Sequence, residues 1–188
     1  MLIVKAADKF GRTETDILSE DFLNSRRIWI QGEINAECAK ETITALSYLD
    51  RLSADDITVM IDSPGGAVSE GFAILDAMKR CRSDIVTVAT GLAASMGAFL
   101  FAVGGTKGKR YITRNAEVMI HQPLGGVSGQ ATEIALAAQH ILRVKTKLNT
   151  YLSEATGKTV EEIARDTERD FYMDAGEAVG YGLADKII

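Results

Sequence analysis

Short runs of β-branched and aliphatic residues alternate along the chain with longer amphipathic stretches. The predicted strands are 27–30, 57–61, 85–89 and 118–121. The predicted helices are 36–53, 68–81 and 96–103, and Asn35 is the predicted N-cap of the first. This alternation predicts an α/β fold of repeated βα units around a mostly parallel sheet.

A further helical stretch extends from Gln130 to Ala155, where Ile134, Ile141 and Leu148 recur every seven residues. Its apolar positions need burial, which another subunit could provide. These positions are Ile134, Leu142, Leu148 and Leu152. His140 lies in the same stretch, and we interpret it as the flank of a packed helix face.

Composition and charge narrow the class of protein. The 188 residues are 46% hydrophobic, which predicts one globular domain over 1–188. The net charge of −5 and the pI near 5.1 come without a basic cluster, so we expect no nucleic-acid partner. The sequence shows no spacing typical of metal ligands, and we expect no metal.

Two features bear on the compartment. Cys38 and Cys81 are isolated and fall in predicted helices, which favours buried, reduced thiols over a disulfide framework. The apolar residues Met1 to Val4 give way to charge too soon for a signal peptide or a membrane span. We therefore expect a cytoplasmic protein without a membrane partner.

Ser95 occupies a predicted strand-to-helix turn crowded by small residues. The pattern Ala93-x-Ser95-x-Gly97 is a relaxed form of the nucleophile elbow, which leaves a serine hydroxyl at a helix N-terminus. A nucleophilic serine needs an imidazole to accept its proton and a third group to orient that imidazole. An ordinary N-cap serine gives the same pattern, so both interpretations stay open.

His121 ends a predicted strand, where a loop could bring it to Ser95 as a general base. A structural histidine would fit the same place. Four acidic residues could orient the imidazole, and spacing does not choose among them. They are Asp166, Glu168, Asp170 and Asp174. The order Ser, His, acid differs from the chymotrypsin, subtilisin and α/β-hydrolase templates, which predicts another scaffold.

A glycine-containing loop follows the predicted strand 57–61, with the sequence Ser63-Pro64-Gly65-Gly66-Ala67. Such a loop can point backbone N–H groups at a carbonyl oxygen that gains charge during acyl transfer. It can also lie beside an extended peptide. A tight strand-to-helix turn is the alternative interpretation.

Taken in order, several segments resemble the proteolytic subunit of the Clp-type ATP-dependent serine protease, the ClpP family. The resemblance is close from Ser63 to Ile188. Its motifs are Ser63-Pro64-Gly65-Gly66, 91–100, 104–110, 119–126, 129–132, 165–170 and 178–183. It implies a crotonase-like fold in which the segment from 123 to about 155 projects as a strand-helix handle.

The resemblance also implies roles for individual residues. The nucleophile would be Ser95, the general base His121, the orienting carboxylate Asp170, and the backbone oxyanion donors Gly66 and Met96. An extended substrate would lie between Gly65, Gly66, Ala67 and Val68 on one side and Pro123, Leu124 and Gly125 on the other. A pocket near Met96, Phe99 and Leu124 would favour apolar side chains, and contacts between rings would involve Gln122, Glu168 and Arg169.

The implied function is a self-compartmentalised serine endopeptidase that cuts unfolded polypeptide. The resemblance implies two stacked seven-membered rings served by an AAA+ unfoldase, which uses the ATP, so this chain would need no cofactor. One alternative is a weakly active regulatory ring subunit that assembles with an active paralogue. Another is an acyl-CoA enzyme of the same fold, which leaves the Ser, His and Asp set unexplained.

The chain departs from the family pattern in three places. Residues 6–15 stand at the axial-pore loop but lack its usual proline, and we expect residues 1–16 to be a mobile axial segment. One residue is added near Val103-Gly104-Gly105, which we expect a loop to absorb. In the family, the pockets that bind the unfoldase commonly carry bulky apolar residues. This chain has other residues at four of these positions, so we expect an unfoldase to bind weakly. These positions are Thr58, Met60, Arg80 and Thr90.

Overall fold

The computed structural model describes residues 3–8 and 11–188, with side chains from Leu18 onward. The strands are β1 (Ile3–Asp8), β2 (Gly11–Asp16), β3 (Arg27–Ile34), β4 (Ile57–Gly66), β5 (Ile85–Ala94), β6 (Arg110–Ile112), β7 (Glu117–Ile120), β8 (Phe171–Met173) and β9 (Lys186–Ile187). The α-helices are α1 (Ile17–Asn24), α2 (Ala36–Leu52), α3 (Val68–Arg80), α4 (Met96–Phe99), α5 (Ala131–Thr156), α6 (Val160–Asp166) and α7 (Ala175–Tyr181). A π-helix, Leu100–Gly104, follows α4 directly.

A seven-stranded sheet carries the core. Its strand order is β3-β4-β5-β6-β9, and β7 pairs with β5 and with β8. The pairings are parallel except that of β7 with β8. Because α2 and α3 form the crossovers between β3, β4 and β5, the predicted βα units and mostly parallel sheet are confirmed. The architecture is that of the crotonase-like fold.

Burial explains why these segments form strands and helices. Ile57, Val59 and Ile61 are buried at every second position of β4, as expected for a strand with one face in the core. The buried residues of α2 recur at helical spacing and are Ala39, Thr42, Leu46 and Leu49. Asn35 caps α2 as predicted, because its side chain accepts the N–H of Cys38.

β4 continues beyond its predicted end. The predicted loop over 63–67 and its alternative, a tight turn, are both wrong for residues 63–66, because the strand runs on to Gly66, with Ser63 beside Ala93 and Gly66 beside Ile34. The backbone of Ile34 lies so close to Gly66 that a Cβ there would overlap it, so a glycine is needed to continue the pairing. The glycine segment is therefore part of the sheet.

Helix α4 begins at Met96 as predicted but widens into the buried π-helix after Phe99. A π-helix bonds i to i+5 and so holds more residues per turn than an α-helix. Val103 and Gly104 lie in this buried π-helix, and a loop follows from Gly105. That a loop absorbs the added residue stays a prediction.

Helix α5 divides into an exposed first half and a packed second half. Ile134 and Leu142 are exposed, whereas Leu148 and Leu152 are buried by their own chain and need no second subunit. His140 is exposed, so it does not pack. Within the described chain no strand is assigned to the handle segment before Gln130. A strand needs a neighbouring strand for its backbone hydrogen bonds, and this segment has none beside it there.

The remaining expectations concern the N-terminus and the cysteines. β1 and β2 form an antiparallel hairpin over most of the segment 1–16. Residues 1, 2, 9 and 10 lie outside the described residues. The mobility of the segment stays a prediction. Cys38 and Cys81 are free and half-buried rather than buried, and burial raises the pKa of both thiols. In the described part of the chain, no helix is long and apolar enough to cross a membrane.

Candidate active site

The predicted site residues meet at one edge of the large sheet. β4, β5 and β7 are parallel, so their carboxyl ends lie together. Gly65 lies at the end of β4, Ser95 follows β5 and His121 follows β7. Asp170 precedes β8, and because β8 runs antiparallel to β7, the start of β8 lies beside the end of β7. The topology thus joins residues that are far apart in sequence.

Ser95 has a strained backbone, with φ 54° and ψ −118°. A positive φ is uncommon for a residue other than glycine and persists only where the surrounding structure enforces it. The N–H of Ser95 donates to the carbonyl of Met119 (2.8 Å), and its carbonyl accepts from the N–H of Phe99 (3.0 Å). Within the described chain its side chain makes no capping bond to α4. Ser95 is therefore the N-cap residue of α4 by position, but its hydroxyl does not cap the helix and is left free for the role it has in a nucleophile elbow.

A hydrogen-bonded chain connects Ser95, His121 and Asp170. The Oγ of Ser95 lies 2.8 Å from Nε2 of His121, and Nδ1 of His121 lies 3.1 Å from Oδ1 of Asp170. Because an ionised carboxylate can only accept, Nδ1 donates to Asp170 and Nε2 is left to accept from the serine hydroxyl. That tautomer is the one a general base requires.

The structure distinguishes the four acidic residues that the sequence left equivalent. Asp170 contacts His121. The others have different partners: Asp166 accepts from the hydroxyl of Tyr181, Glu168 accepts from Lys145, and Asp174 caps α7. The side chain of His121 is 14% exposed and that of Asp170 is 58% exposed. Packing thus holds the imidazole, while the carboxylate lies at the rim of the site.

The backbone nitrogen of Met96 lies close to the end of β4. Its N–H is the first of α4, and the first N–H groups of a helix lack acceptors within the helix. A Cβ built on Gly65 would lie 2.9 Å from this nitrogen and 2.7 Å from Cβ of Ser95. Gly66 follows at the exposed end of β4. The roles of Gly66 and Met96 as oxyanion donors stay predictions.

The residues predicted to contact substrate lie on two segments that flank Ser95. Val68 and Pro123 line the cavity beside Ser95, and Leu124, 83% exposed, lines a neighbouring groove together with Val68. Ala67 is the exposed N-cap residue of α3, and Gly125 packs against Ile141 of α5. A channel between these segments stays a prediction.

The cavity beside Ser95 has a mainly apolar lining. Met96 and Phe99 line it as predicted, but Leu124 does not. The other apolar lining residues are Val68, Ile120, Pro123, Leu148 and Leu152. Asn149, 5% exposed, contributes an amide to the wall. Sequence reasoning missed the contribution of α5 because its seven-residue period marks an apolar face without showing what that face contacts.

Gln122 and Glu168, expected at a ring contact, are linked within this chain. Lys145 Nζ donates to Oε1 of Gln122 and to Oε2 of Glu168, both at 2.9 Å. The hydrogen bond and charge of Lys145 hold the pKa of Glu168 below its ordinary value. Arg169 is exposed. Contacts of these residues with a second ring stay predictions, and no sequence signal identified Lys145.

Among the described residues, no group of three or more His, Cys, Asp or Glu side chains could hold a metal ion.

The family model for Clp protease matches residues 10–188. This range includes every residue of the hydrogen-bonded chain and both flanking segments. Clp proteases are serine-type peptidases, and the family generally assembles into rings and pairs with Clp unfoldases. The chain belongs to the Clp protease family.

Proposed function

We propose that this chain is a serine endopeptidase that hydrolyses peptide bonds of unfolded polypeptide through Ser95, His121 and Asp170. The observation that carries the proposal is the hydrogen-bonded chain from the serine Oγ through the imidazole to the carboxylate, at 2.8 and 3.1 Å. The strained backbone of Ser95 supports it, because strain of this kind is concentrated at functional sites.

The reaction proceeds through an acyl-enzyme. Nε2 of His121 takes the hydroxyl proton as Oγ of Ser95 bonds to the carbonyl carbon, and the N–H groups of Gly66 and Met96 receive the resulting oxyanion. The imidazolium, stabilised by Asp170, gives its proton to the leaving amine as the C–N bond breaks. Water then attacks the acyl carbon with His121 as the base, which releases the acid product and restores Ser95.

The substrate lies extended between residues 65–68 and 123–125. The side chain that precedes the scissile bond enters the cavity beside Ser95, whose lining favours an apolar group. Two stacked seven-membered rings enclose these sites, and an AAA+ unfoldase supplies unfolded chains. The acyl-CoA alternative leaves the hydrogen-bonded set without a role.

Fluorophosphonate labelling tests the proposal directly. The native assembly is treated with the probe and its intact mass is measured, alongside Ser95→Ala and the control Ser47→Ala, which removes an exposed hydroxyl on α2. We expect one adduct per chain in the wild type and in Ser47→Ala, and neither an adduct nor peptide cleavage in Ser95→Ala. An adduct on Ser95→Ala would refute the assignment. Labelling that requires an added paralogue would instead support the regulatory-subunit alternative.

A further inference from the structure

Lys145 connects α5 to the two loops that carry His121 and Asp170. Its side chain is 23% exposed, and Nζ donates at 2.9 Å both to Oε1 of Gln122 and to Oε2 of Glu168. Gln122 directly follows His121, and Glu168 lies two residues before Asp170. One ammonium group therefore bridges both loops at positions adjacent to the proposed catalytic residues.

The two loops also bond to each other through Gln122. Its backbone N–H donates to the carbonyl of Thr167 (2.6 Å), and its Nε2 donates to the carbonyl of Glu168 (3.0 Å). An amide side chain has one accepting end and one donating end, and an ammonium group can only donate. Because Lys145 occupies Oε1, the NH2 end of Gln122 must point to Glu168. Lys145 thus fixes the orientation of the amide that joins the loops.

The position of Asp170 needs such support. Its side chain is 58% exposed, so packing does not hold the carboxylate against the imidazole. The loop before it is tied down by Thr167, which is buried, and by the bonds to Gln122. Between Thr167 and Asp170, Glu168 carries a second carboxylate, and its ion pair with Lys145 offsets that charge.

We propose that Lys145 is a positioning residue that holds Asp170 against His121 by clamping Gln122 and Glu168. The proposal rests on the proposed function, because positioning matters only if His121 acts as a base. Lys145 touches neither substrate nor the reacting atoms. Its effect reaches the reaction through the two loops.

The test compares Lys145→Ala, Lys145→Arg and the control Lys40→Ala, which removes an exposed lysine on α2. Two quantities are measured on the assembled protein. One is the rate of fluorophosphonate labelling, and the other is the downfield proton resonance of a histidine Nδ1–H bonded to a carboxylate, assigned by its loss in Asp170→Asn. The resonance requires no catalysis.

We expect Lys145→Ala to lose the resonance and to be labelled roughly 10- to 100-fold more slowly, since a misplacement of about 1 Å can cost that much. Lys145→Arg should restore most of both signals, because a guanidinium can also donate to two acceptors. Lys40→Ala should match the wild type in both.

A native resonance in Lys145→Ala or an unchanged labelling rate in that variant would overturn the proposal. Loss of the resonance and of labelling together with dissociation of the assembly would also overturn it, because Lys145 would then act in assembly. A wild type that shows the resonance but is never labelled would refute the proposed function. The resonance would then still show whether Lys145 holds Asp170 against His121, but that contact would have no role in catalysis.

Discussion

Replacing Gly65 with alanine should disable the site by steric contact alone. Gly65 has φ +97°, and a Cβ there would lie 2.7 Å from Cβ of Ser95, 2.8 Å from the carbonyl oxygen of Ala94 and 2.9 Å from the nitrogen of Met96. These atoms belong to the backbone or to the first side-chain position, so they cannot rotate away as the end of a long side chain can. The turn that carries Ser95 must therefore shift.

The expected effect of Gly65→Ala has two separable parts, a loss of stability and a loss of activity. A positive φ in a non-glycine residue costs about 1–3 kcal/mol of folding free energy. Displacing Ser95 and the proposed oxyanion donor Met96 should cost activity, by about 100-fold for a misplacement near 1 Å and by a similar factor for the loss of one donor. We expect Gly65→Ala to lower kcat/KM about 100-fold or more.

Gly32→Ala is the matched control. Gly32 has φ +78°, and a Cβ there would meet nothing within 4 Å among the described residues. The control therefore carries a similar backbone strain without the contact to Ser95. It should lose a similar amount of stability and keep its activity within a few fold.

Three measurements on the assembled variants separate the loss of stability from the loss of activity. They are peptide hydrolysis, fluorophosphonate labelling and thermal unfolding. Gly65→Ala should differ from Gly32→Ala in rate and resemble it in stability. Equal labelling rates for the two variants would refute the idea that close contact of β4 with Ser95 positions the nucleophile.

Two further predictions concern acid stability and partner docking. Burial alone would raise the pKa of Asp185, but its hydrogen bonds with the buried Arg110 outweigh that effect and hold the pKa below its ordinary value. Because the folded pKa lies below the unfolded value of about 3.9, this stabilisation is complete above that value and is lost as pH falls through the folded pKa. Asp185→Asn should lower the free energy of unfolding at neutral pH by about 3 kcal/mol, since about that much is lost when a buried ion pair is broken. Urea unfolding should also show a weaker dependence of stability on pH between about pH 5 and 2. An unchanged acid profile would argue against the pairing. A Clp-type unfoldase should stimulate proteolysis weakly or not at all, because bulkier apolar groups are expected from the family resemblance at Thr58, Met60, Arg80 and Thr90. Stimulation at nanomolar concentration would contradict this.

The main strands and helices of the fold could be predicted because their burial is periodic. Ile57, Val59 and Ile61 alternate inward, and the amphipathic faces of α2 and α3 are continuous. The short strands β6, β8 and β9 have two or three residues each, too few to show a period. They exist because neighbouring strands pair with them, which local sequence does not reveal.

The candidate site was predictable to the extent that its residues have informative local contexts. Ser95 lies among small residues and His121 lies at a strand end, and both features are visible in sequence. Asp170 has no such signal, since the antiparallel pairing of β7 with β8 selects it from four acidic residues. Whether Ser95 caps a helix or forms an elbow depends on its φ, which the identity of neighbouring residues left open.

The site is built from a rigid part and an exposed part, and the two should respond differently to substitution. Ser95 and Met96 are fixed by the sheet, by α4 and by the contact with Gly65, so changes there alter folding and rate together. Asp170 lies on an exposed loop whose position depends on a few polar bonds, including those of Lys145. Exposed polar bonds contribute little to folding free energy, yet a carboxylate displaced by 1 Å no longer orients the imidazole. Substitutions that slow the reaction without destabilising the fold should therefore be concentrated on the Asp170 side of the site.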